Sequence, residues 1–349
     1  MYQHFYGFRE LPFELTPNPK YLFLTREHRE ALSALEYGLS TAKGVTALIG
    51  EAGTGKTTLL RAALQSERCR NVNCVYLTNP TLTRNEFVEI LAAQFGLSAH
   101  ASTSKAGLLQ ELETVLRERR AKGWISALVI DEAQSLSGEL LEEIRLLANT
   151  ETDTEKLLPL VLAGQPELRD RLNETGLRQL KQRVTLRCEI KPFTAQETAG
   201  YIAQRIRIAG GEAARIFTRE AVILIHEHSG GIPRTVNVIC DNALLGALGL
   251  GRHRVDSQVV LEVVRDFDLG ETRARVTPIV EAPAEAHPGP VEATAEPAPP
   301  DVAAIAPAAP VAMPTPAPEL PEDDARPAFE ERPTFTAARS RSRFSFFGR

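Results

Sequence analysis

GEAGTGKT, Gly50–Thr57, decides the reading of this 349-residue chain. It matches the pattern GxxxxGK[ST], follows the apolar run VTALI and opens the helical run KTTLLRAAL, the context such a loop requires. Gly50, Gly53 and Gly55 let the backbone turn tightly and point its N–H groups inward as an anion nest, with Glu51, Ala52 and Thr54 between them. A helix beginning near Lys56 adds the positive end of its dipole at the same spot. The pattern therefore predicts a phosphate cradle. Lys56 reaches the β- and γ-phosphates of ATP, and the Thr57 hydroxyl, with Thr58 beside it, ligates Mg²⁺.

Outward from the loop, short β-rich runs alternate with amphipathic helices. The predicted strands are residues 45–49, 74–77, 127–130, 158–162 and 184–190, and the first four each lead into a helical pattern such as residues 56–65 or 84–95. Strands alternating with helices predict an α/β fold with a parallel five-stranded sheet covered on both faces. The runs ALVI and LPLVL lack in/out alternation, as expected of strands buried on both sides. From residue 194 the pattern turns all-helical, with segments at 195–208, 219–229, 233–249 and 257–267.

The third of the strands ends in ALVIDEAQ. Four apolar residues followed by two acids at a strand's C-terminal edge bring both carboxylates to the phosphate loop. Asp131 then holds the Mg²⁺ shell and Glu132 polarises the attacking water as general base. Alone, such a pair is a common solvated strand end; its order and distance after a P-loop give it chemistry.

GEAGTGKTT together with VIDEAQ resembles the AAA+ ATPases, P-loop proteins with an extra strand between the Walker A and Walker B strands. The opening MYQHFYGFRELPFELTPNPKYLFLTREHREAL resembles more particularly the ExeA-type (general secretion pathway protein A) ATPases, over residues 1 to about 267. A looser resemblance extends to transposition ATPases of the TniB/TnsC type and to origin-recognition ATPases. The resemblance implies residues 1–192 as an α/β nucleotide-binding core with the N-terminal family segment, and residues 193–269 as a helical lid. It implies Gln165, in LAGQPEL, as a polar sensor of the γ-phosphate, with a helix-start turn as its ordinary alternative. Arg183, in LRQLKQRV, stands where relatives place an arginine finger that reaches a neighbouring subunit's ATP; Arg178 competes for that role, and a surface ion pair is the plain alternative. Arg234, in SGGIPR, matches the arginine that closes the lid over the nucleotide. His28 falls near the adenine edge, or else is a helix-surface histidine. An ATP-dependent homo-oligomer, ring or filament, is implied, serving an unidentified protein partner in a secretion, pilus or exopolysaccharide export system. Many relatives continue into a membrane helix and a peptidoglycan-binding module; this sequence turns instead to a Pro/Ala-rich run, so direct peptidoglycan remodelling is not expected.

Composition bounds the rest. Hydrophobic residues make up 43% and charged residues 24%, ordinary for a folded chain. No run of roughly 18 apolar residues occurs, and the N-terminus lacks a basic start before an apolar run, so a cytoplasmic protein, at most peripheral to the inner membrane, is expected. Cys69, Cys74, Cys188 and Cys240 form no CxxC pair, which speaks for buried thiols and against zinc. Residues 1–268 carry 33 acids and 32 bases, which disfavours a dedicated DNA binder while leaving a local basic patch open. Residues 277–336 hold 15 of the 23 prolines. Residues 270–349 are therefore expected to form a disordered tether, ending in arginines interleaved with Phe344, Phe346 and Phe347.

Overall fold

The computed structural model describes residues 2–78 and 81–267. The expected tether and its aromatic tip lie outside the described residues. The chain groups into two units, Met1–Ile279 and Val280–Arg349, and everything below belongs to the first.

In chain order the elements are α1 (Tyr2–Phe5), α2 (Arg26–Ser40), β1 (Val45–Gly50), α3 (Lys56–Gln65), β2 (Val72–Leu77), α4 (Arg84–Phe95), α5 (Ala99–Thr103) and α6 (Lys105–Ala121). They continue with β3 (Ile125–Ile130), α7 (Gly138–Leu147), β4 (Leu160–Gly164), α8 (Pro166–Leu172), α9 (Arg178–Arg183) and β5 (Val184–Ile190). The last are α10 (Ala195–Ile208), α11 (Ala213–Ile216), α12 (Arg219–Ser229), α13 (Pro233–Gly249) and α14 (Ser257–Asp266). Helix starts follow local chemistry. Thr83 and Thr194 close capping boxes with Glu86 and Glu197, and Pro233 occupies the first turn of α13, where a missing N–H costs nothing. β4 begins two residues later than its apolar run suggests, because Pro159 has no N–H to donate to a ladder.

The five strands are all parallel, in the order β2-β3-β4-β1-β5. Their side chains sort by parity. Ala47, Leu128, Ile130, Leu160 and Leu162 pack with α4, α6, α7, α8 and α9 on one face. Leu48, Ala127, Val129, Val161 and Ala163 pack with α2 and α3 on the other. Burial on both faces explains why these strands read as unbroken apolar runs. β5, at one edge of the sheet, buries only alternate residues near its end.

α10 to α14 form a helical bundle with its own core. The N-terminal segment, grouped by sequence with the α/β core, contributes Tyr2, Phe8 and Phe13 to this bundle's core instead. Phe13 is fully buried and meets Phe217 edge-to-face at 6.3 Å. Each such ring stabilises by about 1.5–3 kcal/mol, which outweighs proximity in the chain. The strap is clasped by Arg205 of α10, a buried guanidinium that donates to the carbonyls of Pro12 and Glu14 and stands 4.5 Å over the Tyr21 ring.

Candidate nucleotide site

β1 ends at Gly50 and α3 begins at Lys56, so the intervening loop sits at the C-terminal edge of the sheet. Gly53 and Gly55 take φ of +80° and +101°, the left-handed region that favours glycine. Gly50 is different: it is extended, and a Cβ there would lie 2.8 Å from the Ile190 carbonyl, so close packing rather than dihedral freedom requires glycine. Thr54 caps the loop on itself, its hydroxyl donating to the Glu51 carbonyl at 2.8 Å. The Lys56 ammonium is buried and donates to the Gly50 and Glu51 carbonyls at 2.8 and 3.0 Å. Burial holds its pKa below the usual lysine value against the pull of Glu132, Asp131 and Glu51. Ala52 is exposed at the tip and does not line the cavity.

The acid pair meets this loop. The Thr57 hydroxyl donates to Asp131 Oδ2 at 2.6 Å, and Asp131 Oδ1 accepts the Glu132 N–H at 3.0 Å. A hydroxyl and a carboxylate side by side are hard oxygen donors of the kind Mg²⁺ takes. No cluster of three or more His, Cys, Asp or Glu side chains suited to a metal occurs among the described residues. Sequence reasoning missed Tyr76 of β2, whose hydroxyl donates to the same Asp131 Oδ2 at 3.0 Å. Burial, and then the Asp131 charge, push the Tyr76 phenol far above its ordinary value.

β4 lies between β1 and β3, so its C-terminal residue Gly164 delivers Gln165 to the acid pair. Gln165 Nε2 donates to Glu132 Oε2 at 3.2 Å, and Gln134 Nε2 donates to the same oxygen at 2.7 Å. Burial works to raise the Glu132 carboxyl, but the Gln134 and Gln165 amides and the Lys56 charge outweigh it and hold the pKa low. Gln134 was legible only as the last letter of DEAQ.

A cavity of about 340 Å³ opens over the loop, a size that suits a small ligand. Lys56, Thr57, Thr58 and Glu132 line one end, and His28, Phe193, Tyr201 and Asn237 are among the residues lining the rest. His28 is buried, which removes the surface alternative. Its Nδ1 pairs with Thr25 Oγ1 at 2.8 Å, and its Nε2 lies 3.3 Å from the Thr54 carbonyl. Burial depresses its pKa below the ordinary histidine value. Arg234 at the start of α13 also lines the cavity, and its backbone N–H donates to the Gly53 carbonyl at 3.2 Å. The strap supplies Glu14 to Asn18 to the wall, and Arg205, Tyr201 and Asn237 form a buried hydrogen-bonded row beside it. Arg205, Tyr201 and Asn237 carried no motif, because each lies far in sequence from the loop it serves.

The two arginine-finger candidates lie elsewhere. Val184 pairs with Val45, so Arg183 sits at the N-terminal edge of the sheet, about 17 Å of strand from the phosphate loop at roughly 3.3 Å per residue. Arg183 Nε donates to Asn149 Oδ1 at 2.5 Å and its Nη1 to the Gln179 carbonyl at 3.1 Å. Arg178 is exposed and makes no ion pair or side-chain hydrogen bond among the described residues. Neither approaches the chain's own cavity.

A phosphate loop and an acid-bearing strand separated in the sheet by one inserted strand, with a helical bundle leaning on the loop, is the P-loop fold of the AAA+ proteins, to which this chain is similar. Residues 40–172 match the AAA domain family. Over 255 residues, 73% of this chain, it is 41% identical to general secretion pathway protein A of Aeromonas hydrophila, of which it covers 46%. An uncharacterized HTH-type transcriptional regulator of Methanocaldococcus jannaschii is 25% identical over 163 residues, 46% of this chain and 39% of that protein. The chain thus spans about half the length, or less, of the curated relatives it matches. Among solved structures, the Aeropyrum pernix ORC2 protein in its ADPNP–ADP complexes is 18% identical with a TM-score of 0.54, over 74% of this chain and 72% of that one. The Aeropyrum pernix ORC1 protein in complex with DNA is 19% identical with a TM-score of 0.55, over 74% and 70%. These two share the fold. No helix among the described residues is long and apolar enough to cross a membrane.

Proposed function

We propose that this protein binds ATP with Mg²⁺, hydrolyses it to ADP and phosphate, and couples turnover to assembly of several copies. The observation that carries the reading is that Lys56, Thr57 and Glu132 line one cavity to which the helical bundle adds Arg234. Lys56 neutralises the β- and γ-phosphates, and Thr57 and Asp131 would hold Mg²⁺, which would supply positive charge against the phosphate oxygens. Glu132 takes a proton from water, the water oxygen bonds to the γ-phosphorus, and the bond to the ADP oxygen breaks. Gln165 orients Glu132, and Arg234 reports a bound triphosphate to the bundle, so nucleotide state biases the lid. Arg178 or Arg183 acts in a neighbouring copy, and a trans arginine of this kind accelerates phosphoryl transfer by about 10³–10⁵.

The identity to general secretion pathway protein A supports a place in an envelope-associated secretion, pilus or exopolysaccharide export system, on the cytoplasmic side of the inner membrane. An ATP-gated DNA-binding adaptor is the alternative. The likeness to the DNA-bound ORC1 protein is one of fold, and the near-even charge of residues 1–268 argues against a strong phosphate-backbone binder. Phosphate release by the full chain, read alongside light scattering with and without ATP, tests the proposal. Lys56→Ala should lose ATP binding, and Glu132→Gln should keep binding but lose about 100-fold or more in turnover. Specific activity should rise with protein concentration. Wild-type turnover at background even as an oligomer refutes hydrolysis, and DNA affinity falling steeply with salt favours the adaptor.

A further inference from the structure

The turn after the acid pair is organised by Gln134, a residue that the nucleotide chemistry above does not require. Glu132 has φ +54° and ψ +36°, a left-handed conformation uncommon outside glycine, and a single 3₁₀ turn at Ala133–Ser135 follows it. Gln134 sits at the centre of that turn and uses both ends of its amide. Its Nε2 donates to Glu132 Oε2 at 2.7 Å, while its Oε1 accepts the Gln165 N–H at 3.1 Å. The amide fits there only because β4 ends in glycine: a Cβ on Gly164 would stand 2.8 Å from Gln134 Oε1. Arg171 of α8 then secures the backbone of the turn, donating to the Gln134 carbonyl at 2.7 Å and to the Leu136 carbonyl.

The consequence for Glu132 is asymmetric. Both amide donors, Gln134 Nε2 and Gln165 Nε2, converge on Oε2. Oε1 has no hydrogen-bond partner among the described residues. One oxygen is anchored, and the other is left to receive a proton. The two groups that brace the Gln134 turn from outside belong to one helix, since Gln165 is the N-cap of α8 and Arg171 lies in its last turn. α8 leads through a short 3₁₀ turn to α9, which carries Arg178 and Arg183.

We propose that Gln134 is a positioning residue: it fixes Glu132 with one oxygen held and the other free, and it transmits displacement of the α8–α9 pair to that carboxylate. Contact with a neighbouring copy through α9 shifts α8, moves the Gln165 N–H and the Arg171 clamp together, and so turns the Glu132 oxygen toward or away from the water. This rests on the hydrolytic reading above.

Gln134→Met keeps side-chain length and removes both hydrogen bonds. In steady-state ATP hydrolysis by the full chain, it should lower kcat by about tenfold or more. KM for ATP, and affinity for a non-hydrolysable ATP analogue with Mg²⁺, should stay within about twofold, because the anchor acts on orientation and not on the phosphate cradle. Gln134→Glu retains an acceptor for the Gln165 N–H but lacks the donor to Glu132, and should give the same split; it decides the matter if the methionine variant does not fold. Arg171→Met should reproduce the kcat loss and flatten the dependence of specific activity on protein concentration. An unchanged kcat in Gln134→Met overturns the proposal, as does a kcat loss matched by loss of analogue affinity. If the wild type itself does not turn over ATP, the hydrolytic reading falls and takes this one with it. A working wild type with an unimpaired variant overturns the positioning role alone.

Discussion

Replacing Gly53 by alanine probes the contact between the helical bundle and the phosphate loop. Gly53 has φ +80°, and a Cβ there would stand 2.7 Å from Arg234 Cβ and 3.1 Å from Ile232 Cγ2. Left-handed backbone alone costs an alanine about 1–2 kcal/mol. The obstructing atom is the Cβ at the root of α13, not the end of a flexible chain, so relief requires the helix start to move. Overpacking of that kind adds typically about 1–3 kcal/mol. Gly55 is the matched control, because its φ is +101° yet nothing lies within 4 Å of its notional Cβ. Urea unfolding of the nucleotide-free full chain, followed by circular dichroism, should show a loss of about 2–5 kcal/mol for Gly53→Ala and about 1–2 kcal/mol for Gly55→Ala. The excess measures how firmly the bundle presses on the loop. Equal losses in the two variants would refute the contact, and with it the route proposed for Arg234 to sense the loop.

Three further outcomes follow from the same geometry. Arg178→Ala or Arg183→Ala, whichever removes the trans-acting arginine, should lose turnover alone and regain part of it when mixed with Glu132→Gln, because each subunit then supplies what the other lacks; no recovery for either variant rules out a trans arginine. Tyr76→Phe removes one donor to Asp131 and should raise the Mg²⁺ needed for half-maximal tight nucleotide binding by roughly three- to tenfold, with an unaltered Mg²⁺ titration as the contrary result. His28 is buried with its pKa depressed, so the unfolded chain binds the proton more readily. Its contribution to stability is complete above the ordinary histidine pKa and is lost as pH falls from there toward the folded value. By calorimetry, the thermal midpoint of the wild type should drop relative to His28→Gln as pH falls below about 6.5, and a constant difference across that range would contradict the assignment.

Much of the site was legible because local rules govern it. The P-loop and the Asp131–Glu132 pair each occupy a strand end whose spacing and apolar lead-in are visible in one window of residues. Helix boundaries at Lys56, Arg84, Ala195 and Pro233 could be read because glycine, capping threonines and proline act within a turn. Tyr76, Gln134 and Asn237 escaped notice, since a single tyrosine, glutamine or asparagine on an element has no pattern until something is packed against it.

The amino-acid sequence by itself determined that this chain builds a P-loop α/β core followed by a helical segment, because backbone propensity, burial parity and phosphate-nest chemistry are short-range. Only the tertiary structure decided that β4 inserts between β1 and β3, and so brings Gln165 onto the Glu132 oxygen that Gln134 also holds. It alone sent the N-terminal aromatics into the helical bundle, with Arg205 clasping the strap that walls the cavity. Periodicity states that a face must be covered but not what covers it; that choice belongs to whichever long-range packing buries the most surface while leaving each buried polar group a partner.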